Sequence, residues 1–223
     1  MSANAWQYFL SCGSWPDEDG TLIVHPNPKF RWDNIEDMRI FAQEIGFGLL
    51  FGATPDGPRV AHVPFVFLTD REIGFHTARS NEITKALDGS KALFVVNGAN
   101  GYISPDWYGI DDQVPTWNYI AVELQARVRQ MDRAELIAQA DSLSHFQEAR
   151  LAPKPVWDRA KMAEGLFDKM LSGIVGFVME ISEWRGTMKL GQNKPEMVRL
   201  SAAEGAAAAG NHAIANAMRS LPQ

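Results

Sequence analysis

FGLLFGATPDGPRVAHVPFVFLTDREIGFHTA, residues 47–78, decides the fold. Three short runs rich in β-branched and aromatic residues, FGLLFGAT, RVAHVPFVFL and EIGFHTA, are separated by PDG and TDR, which predicts a meander of three antiparallel strands. Working outward, KALFVVNG from Lys91 predicts a fourth strand. Ile120, Val122, Leu124, Ala126 and Val128 alternate with Ala121, Glu123, Gln125, Arg127 and Arg129, the period of a strand with one dry and one wetter face. IVGFVMEISEW from Ile174 reads as a long strand. Between and around these lie helical patterns. Asp33 is placed to cap a helix through Ile35, Met38, Phe41 and Ala42, and Asn81 to cap a short one over EITKALD. RAELIAQADSLSHFQEAR is helical, Asp158 to Leu171 predicts a further helix ended by Gly173, and AAEGAAAAGNHAIANAMRSL has strong helix formers broken at Gly205 and Gly210. Six or seven strands with helices appended favour a mainly β protein, an antiparallel barrel with peripheral helices, over a parallel βαβ sheet. Residues 1–30, with Pro16, Gly20, Pro26 and Pro28, read as an N-terminal arm. Residues 31–223 read as one domain with a helical insertion at about 133–172 and C-terminal helices.

The 223 residues suffice for a real hydrophobic core. The net charge of -6 is spread without a long single-sign block, so no broad basic field exists to hold nucleic acid phosphates, and direct nucleic acid binding is disfavoured. Cys12 is the single cysteine, and neither CxxC nor HExxH spacing occurs, so no metal site is expected. His25, His145 and His212 show no partner spacing and read as structural or exposed. GxSxG, GxxxxGK[ST] and GxGxxG are absent, which leaves hydrolase and kinase chemistry without support. The N-terminal stretch lacks the cationic start and continuous apolar core of a signal peptide, and no segment predicts a membrane span. A reducing, cytoplasmic compartment is the expectation.

Chemistry-bearing residue types gather in a few places. In HVPF, residues 62–65, a proline interrupts a strand and predicts an edge or a bulge, where main-chain groups are open to a ligand; protection of the edge explains it equally well. In HTARSN, residues 76–81, Arg79 offers paired donors, Ser80 a hydroxyl and the helix start unpaired amides, a set suited to phosphate; Asn81 as an ordinary cap covers part of the same signal. ISPDWY and VPTWNY place Trp107, Tyr108, Trp117 and Tyr119 beside polar groups, as walls for a planar ring or as plain core aromatics. KLGQN, residues 189–193, sets a lysine and two amides around a glycine, an anion site or a polar turn.

HVPF, GFHTARSN, YISPDWY, VPTWNY and KLGQN, in that order and at these separations, resemble the PaiB family of FMN-binding split-barrel proteins, often labelled negative transcriptional regulators. The resemblance spans roughly residues 30–200. It implies a six-stranded antiparallel split β-barrel that pairs as a homodimer and binds FMN, as a flavin-dependent redox or flavin-sensing protein. On that likeness His62, Val63 and Pro64 lie along the isoalloxazine ring, and His76, Ala78, Arg79 and Asn81 hold the phosphate and ribityl end. Trp117, Asn118, Lys189 and Gln192 close the pocket, some from the partner chain, and the aromatics of residues 102–119 cover cofactor and dimer seam. No catalytic residue is assigned; His76 is a candidate by position only. Two departures stand out: Asn27 of HPNPKF replaces a proline of the family's start, and Glu82 replaces a proline after Asn81, where its charge would repel a phosphate. Two other readings stay open: a regulator acting directly on DNA, and a haem-binding or haem-degrading split barrel with His62 or His76 as axial ligand.

Overall fold

The computed structural model describes residues 25–221, so the expectations for Cys12 and most of the N-terminal arm lie outside the described residues. In chain order the elements are β1 (Arg31–Trp32), α1 (Ile35–Ile45), β2 (Phe47–Thr54), β3 (Gly57–Thr69), β4 (Glu72–Ala78), α2 (Thr84–Leu87) and β5 (Lys91–Ile103). There follow β6 (Thr116–Gln130), α3 (Arg133–Ala149), α4 (Leu166–Leu171), β7 (Ile174–Lys189), α5 (Glu196–Ala208) and α6 (His212–Arg219). Hydrogen bonding orders the strands β1-β7-β4-β3-β2-β5-β6, and β6 also pairs with β7. Strands β2 to β7 therefore close into a six-stranded ring, the expected split barrel, while β1 is added to β7 through Arg31↔Thr187 and Trp32↔Gly186. The three last strands run longer than their apolar runs suggest, because ladder pairing carries each through the polar residues at its ends.

The chain divides into two compact units. The larger comprises Asn34–Asn97 and Val122–Trp184. Its meander has the register Phe47↔Pro64 through Thr54↔Gly57 between β2 and β3, then Phe65↔Phe75 onward between β3 and β4. Period-two alternation sends Leu50, Phe65, Ile73, Phe75, Phe94, Phe177 and Met179 inward, where all are buried. Phe65 meets Phe94 edge-on at 5.0 Å between centroids, and Phe75 stacks on Phe177 at 5.7 Å. Each such ring contributes about 1.5–3 kcal/mol by leaving water.

Four local expectations are corrected in this unit. Asn34, not Asp33, caps α1: its Oδ1 accepts from the amides of Glu36 at 3.0 Å and Asp37 at 3.2 Å, the two donors a cap must reach. Asn81 caps no helix directly; its Oδ1 accepts from the Ile83 amide at 3.3 Å, a turn that precedes α2. The helix expected over Asp158 to Leu171 is a 3-10 turn, Arg159–Lys161, followed by the short α4, since Gly165 at φ 72° turns the chain left-handed between them. Pro64 lies neither on an edge strand nor in a bulge. It stands where the partner of β3 passes from β2 to β4, and the register irregularity falls between Phe67 and Thr69.

The second unit holds the segment up to Asp33, Gly98–Ala121 and the segment from Arg185. Its core joins Ile103, Tyr108 and Leu190 to Ala202, Ala203 and Ala206 of α5 and Ile214, Ala215 and Met218 of α6. Gly205 does not break α5. A Cβ there would stand 2.3 Å from Cγ of Trp107, so the glycine lets the indole lie against the helix, while Gly210 at φ 87° does separate α5 from α6. No helix among the described residues is long and apolar enough to cross a membrane.

Candidate functional site

In the larger unit the pleat of β3 turns Ala61, Val63 and Phe65 inward and leaves Val60, His62 and Pro64 on the outer face. Their partners on β2 are Phe51, Leu49 and Phe47, and β5 adds Leu93 opposite Phe51 and Val95 opposite Leu49. Phe47, Phe51 and Val60 are 48%, 38% and 43% exposed, so this face of the sheet is a continuous apolar strip open to solvent. His62 and Pro64 belong to it, whereas the side chain of Val63 is buried in the core.

The end of β4 separates residues that the sequence groups together. His76 Nδ1 lies 2.9 Å from Oε1 of Gln139, a buried residue of α3 whose Nε2 donates to the Gly74 carbonyl at 3.5 Å. With the amide in that orientation, Nδ1 donates to Oε1. His76 lines a cavity of about 320 Å³ with Trp157, Met162, Phe167 and Met170 of the helical insertion. Arg79 is exposed and fastens the end of that insertion: Nε donates to the Ser172 carbonyl at 2.9 Å, Nη2 to Ile174 at 3.1 Å, and its amide to Gly173 at 2.9 Å. Ala78 and Asn81 are exposed beside it. Glu82, whose charge was expected to repel a phosphate, forms an exposed ion pair in which Arg59 Nε donates to its carboxylate at 3.0 Å.

Residues of the second unit line a cavity of about 370 Å³. Lys189 Nζ donates to Thr116 Oγ1 at 2.6 Å and stands 5.9 Å from the centroid of Phe30; burial pushes its pKa below the usual lysine value. Lys194 Nζ donates to Gln113 Oε1 and lies 5.4 Å from the ring of Tyr108. Asn118, 1% exposed, lines the same cavity and donates through Nδ2 to Met218 Sδ at 3.5 Å. Gln192 braces its own turn instead: Oε1 accepts from the Leu190 amide at 2.8 Å and Nε2 donates to the Met188 carbonyl. Trp117 is 53% exposed, with Nε1 donating to Asn100 Oδ1 at 3.1 Å and its ring edge-on to Tyr102 at 6.4 Å. The aromatics of residues 102–119 thus divide. Trp107 and Tyr108 pack on the C-terminal helices, Tyr108 also lining the lysine cavity, and Tyr102 and Trp117 stay open to solvent.

His25, read from the sequence as structural or exposed, lines the lysine cavity. Its signal was its place at the head of HPNPKF, where Asn27 accepts from the Lys29 amide at 3.0 Å and caps a 3-10 turn that buries Phe30. Lys194, next to KLGQN, was the other residue missed. Burial first, and the Lys189 charge second, hold the His25 pKa below its ordinary 6.5. A histidine with a lowered folded value costs stability as it is protonated in place. Thermal stability is therefore expected to fall as pH drops from 6.5 through the depressed folded value, and His25→Gln to flatten that slope in melts across the window. Unchanged slope in the variant would remove His25 as its source. No cluster of metal-ligating side chains exists among the described residues.

Relatives place these features in a family. The chain is 29% identical over 171 residues to protease synthase and sporulation protein PAI 2 of Bacillus subtilis (strain 168), covering 75% of this chain and 81% of that one. Among solved structures it resembles the flavocytochrome Anf3 of Azotobacter vinelandii (TM-score 0.52, 15% identity, 71% of this chain and 69% of that one). It is similar also to a FAD and heme binding protein of Mycobacterium smegmatis (TM-score 0.50, 15% identity, 71% and 73%) and to a conserved hypothetical protein of Mycobacterium tuberculosis (TM-score 0.54, 15% identity, 76% and 92%). At these identities the structural likeness concerns the fold, a split barrel. Residues 24–183, well over half of the chain, match the family model FMN_bind_2, "Putative FMN-binding domain", and the chain belongs to that family.

Proposed function

We propose that the protein binds FMN against the outer face of β3 and the end of β4, and that a second copy of the chain covers the same face. The observation that carries this reading is the exposed apolar strip in which HVPF places His62 and Pro64 beside Phe47, Leu49 and Phe51, in a chain of the FMN-binding family. A flat apolar strip suits an isoalloxazine ring, and an apolar area of this kind on a sheet is a natural seat for a partner. Below the ring, Arg79 and Asn81 are the residues placed for the phosphate. Two of the guanidinium nitrogens are engaged by carbonyls, which fixes the plane of the fork, and Nη1 has no partner among the described residues. When bound, the flavin would supply hydride or electron transfer. The chain's own part is to orient the ring, to exclude water from one side of it and to neutralise the phosphate. Trp117, Asn118, Lys189 and Gln192 are not needed for this reading. A single cysteine and the acidic balance fit a cytoplasmic setting.

FMN titrated into the full chain should give a saturable shift of the flavin visible bands, and sedimentation should give twice the chain mass of 24.8 kDa. A chain that leaves the FMN spectrum unchanged would remove the flavin reading. A monomer that still binds FMN tightly would remove the shared-face reading alone.

A further inference from the structure

Beyond the flavin face, the lysine cavity of the second unit is a site in its own right. Lys189 and Lys194 both line it, and each ammonium makes one hydrogen bond, to a neutral oxygen: Thr116 Oγ1 for the first and Gln113 Oε1 for the second. An ammonium has three donors, so two on each remain unused by the described residues. Neither lysine forms an ion pair among the described residues. The acidic residue of the lining, Asp112, is exposed and makes no hydrogen bond or ion pair to either lysine. Two cations and one acidic side chain in the lining leave the cavity with an excess of positive charge, and a half-buried charge without an opposite partner is costly unless a ligand supplies one. Burial holds Lys189 below the usual lysine value, and after burial its charge is the second cause that lowers His25. The lining mixes amides and hydroxyls with two aromatic walls: the Phe30 and Tyr108 rings lie under the two ammoniums. A volume of about 370 Å³ is that of a small-molecule pocket.

We infer that this cavity binds a small organic anion, a carboxylate or phosphate carried on a flat apolar body, with Lys189 and Lys194 sharing the anion and the Phe30 and Tyr108 rings receiving the body. The lining residues all belong to the second unit, and the inference does not rest on the flavin reading. Its natural place is that of a substrate or effector acid.

Calorimetric titration of the full chain with benzoate and with phenyl phosphate, benzamide serving as the neutral isostere, tests the inference. The expected result is saturable binding of at least one anion at one per chain and none of benzamide. Lys189→Gln and Lys194→Gln should each weaken it about tenfold, the worth of one charge-assisted hydrogen bond, while Lys189→Arg retains most of the affinity. Arg79→Ala should leave anion binding unchanged. Melting curves of the variants control for folding, and Lys194→Gln serves if Lys189→Gln fails to fold. Absence of saturable binding, equal binding of benzamide, or indifference to both glutamine variants would overturn the site. Competition between FMN and the anion would overturn its independence, because the lysines would then be receiving the flavin's own phosphate.

Discussion

Arg79→Ala is expected to weaken FMN binding about 10- to 100-fold, the loss that follows from removing a charge-assisted hydrogen bond of about 1.5–3 kcal/mol. The guanidinium does two tasks at once. Its Nε and Nη2 hold the Ser172 and Ile174 carbonyls at 2.9 and 3.1 Å, which sets the fork in one plane and directs the remaining nitrogen outward. Lysine cannot reproduce this, since a single ammonium lacks the planar fork, so Arg79→Lys should recover the charge without recovering most of the affinity. Flavin fluorescence quenching measures both variants against the wild type. Retention of wild-type affinity in Arg79→Ala would take Arg79 out of the flavin site and leave it as a staple for the insertion. In that case the melting temperature would fall while flavin affinity stayed.

Gly48→Ala is expected to cost about 3 kcal/mol of stability, near the top of the range for overpacking a core. A Cβ at Gly48 would stand 2.2 Å from Cε1 and 2.9 Å from Cζ of Phe94, and 2.7 Å from the Val95 carbonyl oxygen. Neither neighbour can give way. Phe94 is fully buried and wedged against Phe65 and Phe75, and Val95 lies in the β2–β5 ladder opposite Leu49. Gly89→Ala is the control: at φ 72° with no atom within 4 Å it meets backbone strain alone, worth about 1 kcal/mol. Urea unfolding of both variants gives the comparison, and Gly48→Ala combined with Phe94→Leu should recover part of the loss. Equal midpoints for the two single variants would show that Phe94 has room to move.

Much of the fold was readable along the chain because strands advertise themselves locally. The 47–78 meander needed only apolar runs and turn residues, and its register then followed from the short Pro55–Asp56 turn. Gly205 was misread for the opposite reason. A glycine in a helical pattern looks like a break, and only the Trp107 ring lying on α5 shows that it serves a close approach. Asp158 to Leu171 was misread because helix-forming residues promise propagation, while a single left-handed Gly165 ends it. Residue types in the site were readable too, but their grouping was not. His76 and Arg79 lie three apart, yet the strand turns one toward Gln139 while the other reaches the Ser172 and Ile174 carbonyls at the end of the insertion. Lys189 and Lys194 were drawn to one cavity with His25, a residue more than 160 positions away in the chain.

By itself the sequence determined that this is an antiparallel barrel of the FMN-binding kind, since a period of two and a run of short motifs are properties of neighbours along a chain. Only the tertiary structure decided which cations have partners. Arg79 is held by carbonyls, Arg59 pairs with Glu82, and Lys189 and Lys194 are left with neutral acceptors. Charge compensation depends on distances between atoms that folding brings together, and no local pattern encodes those distances.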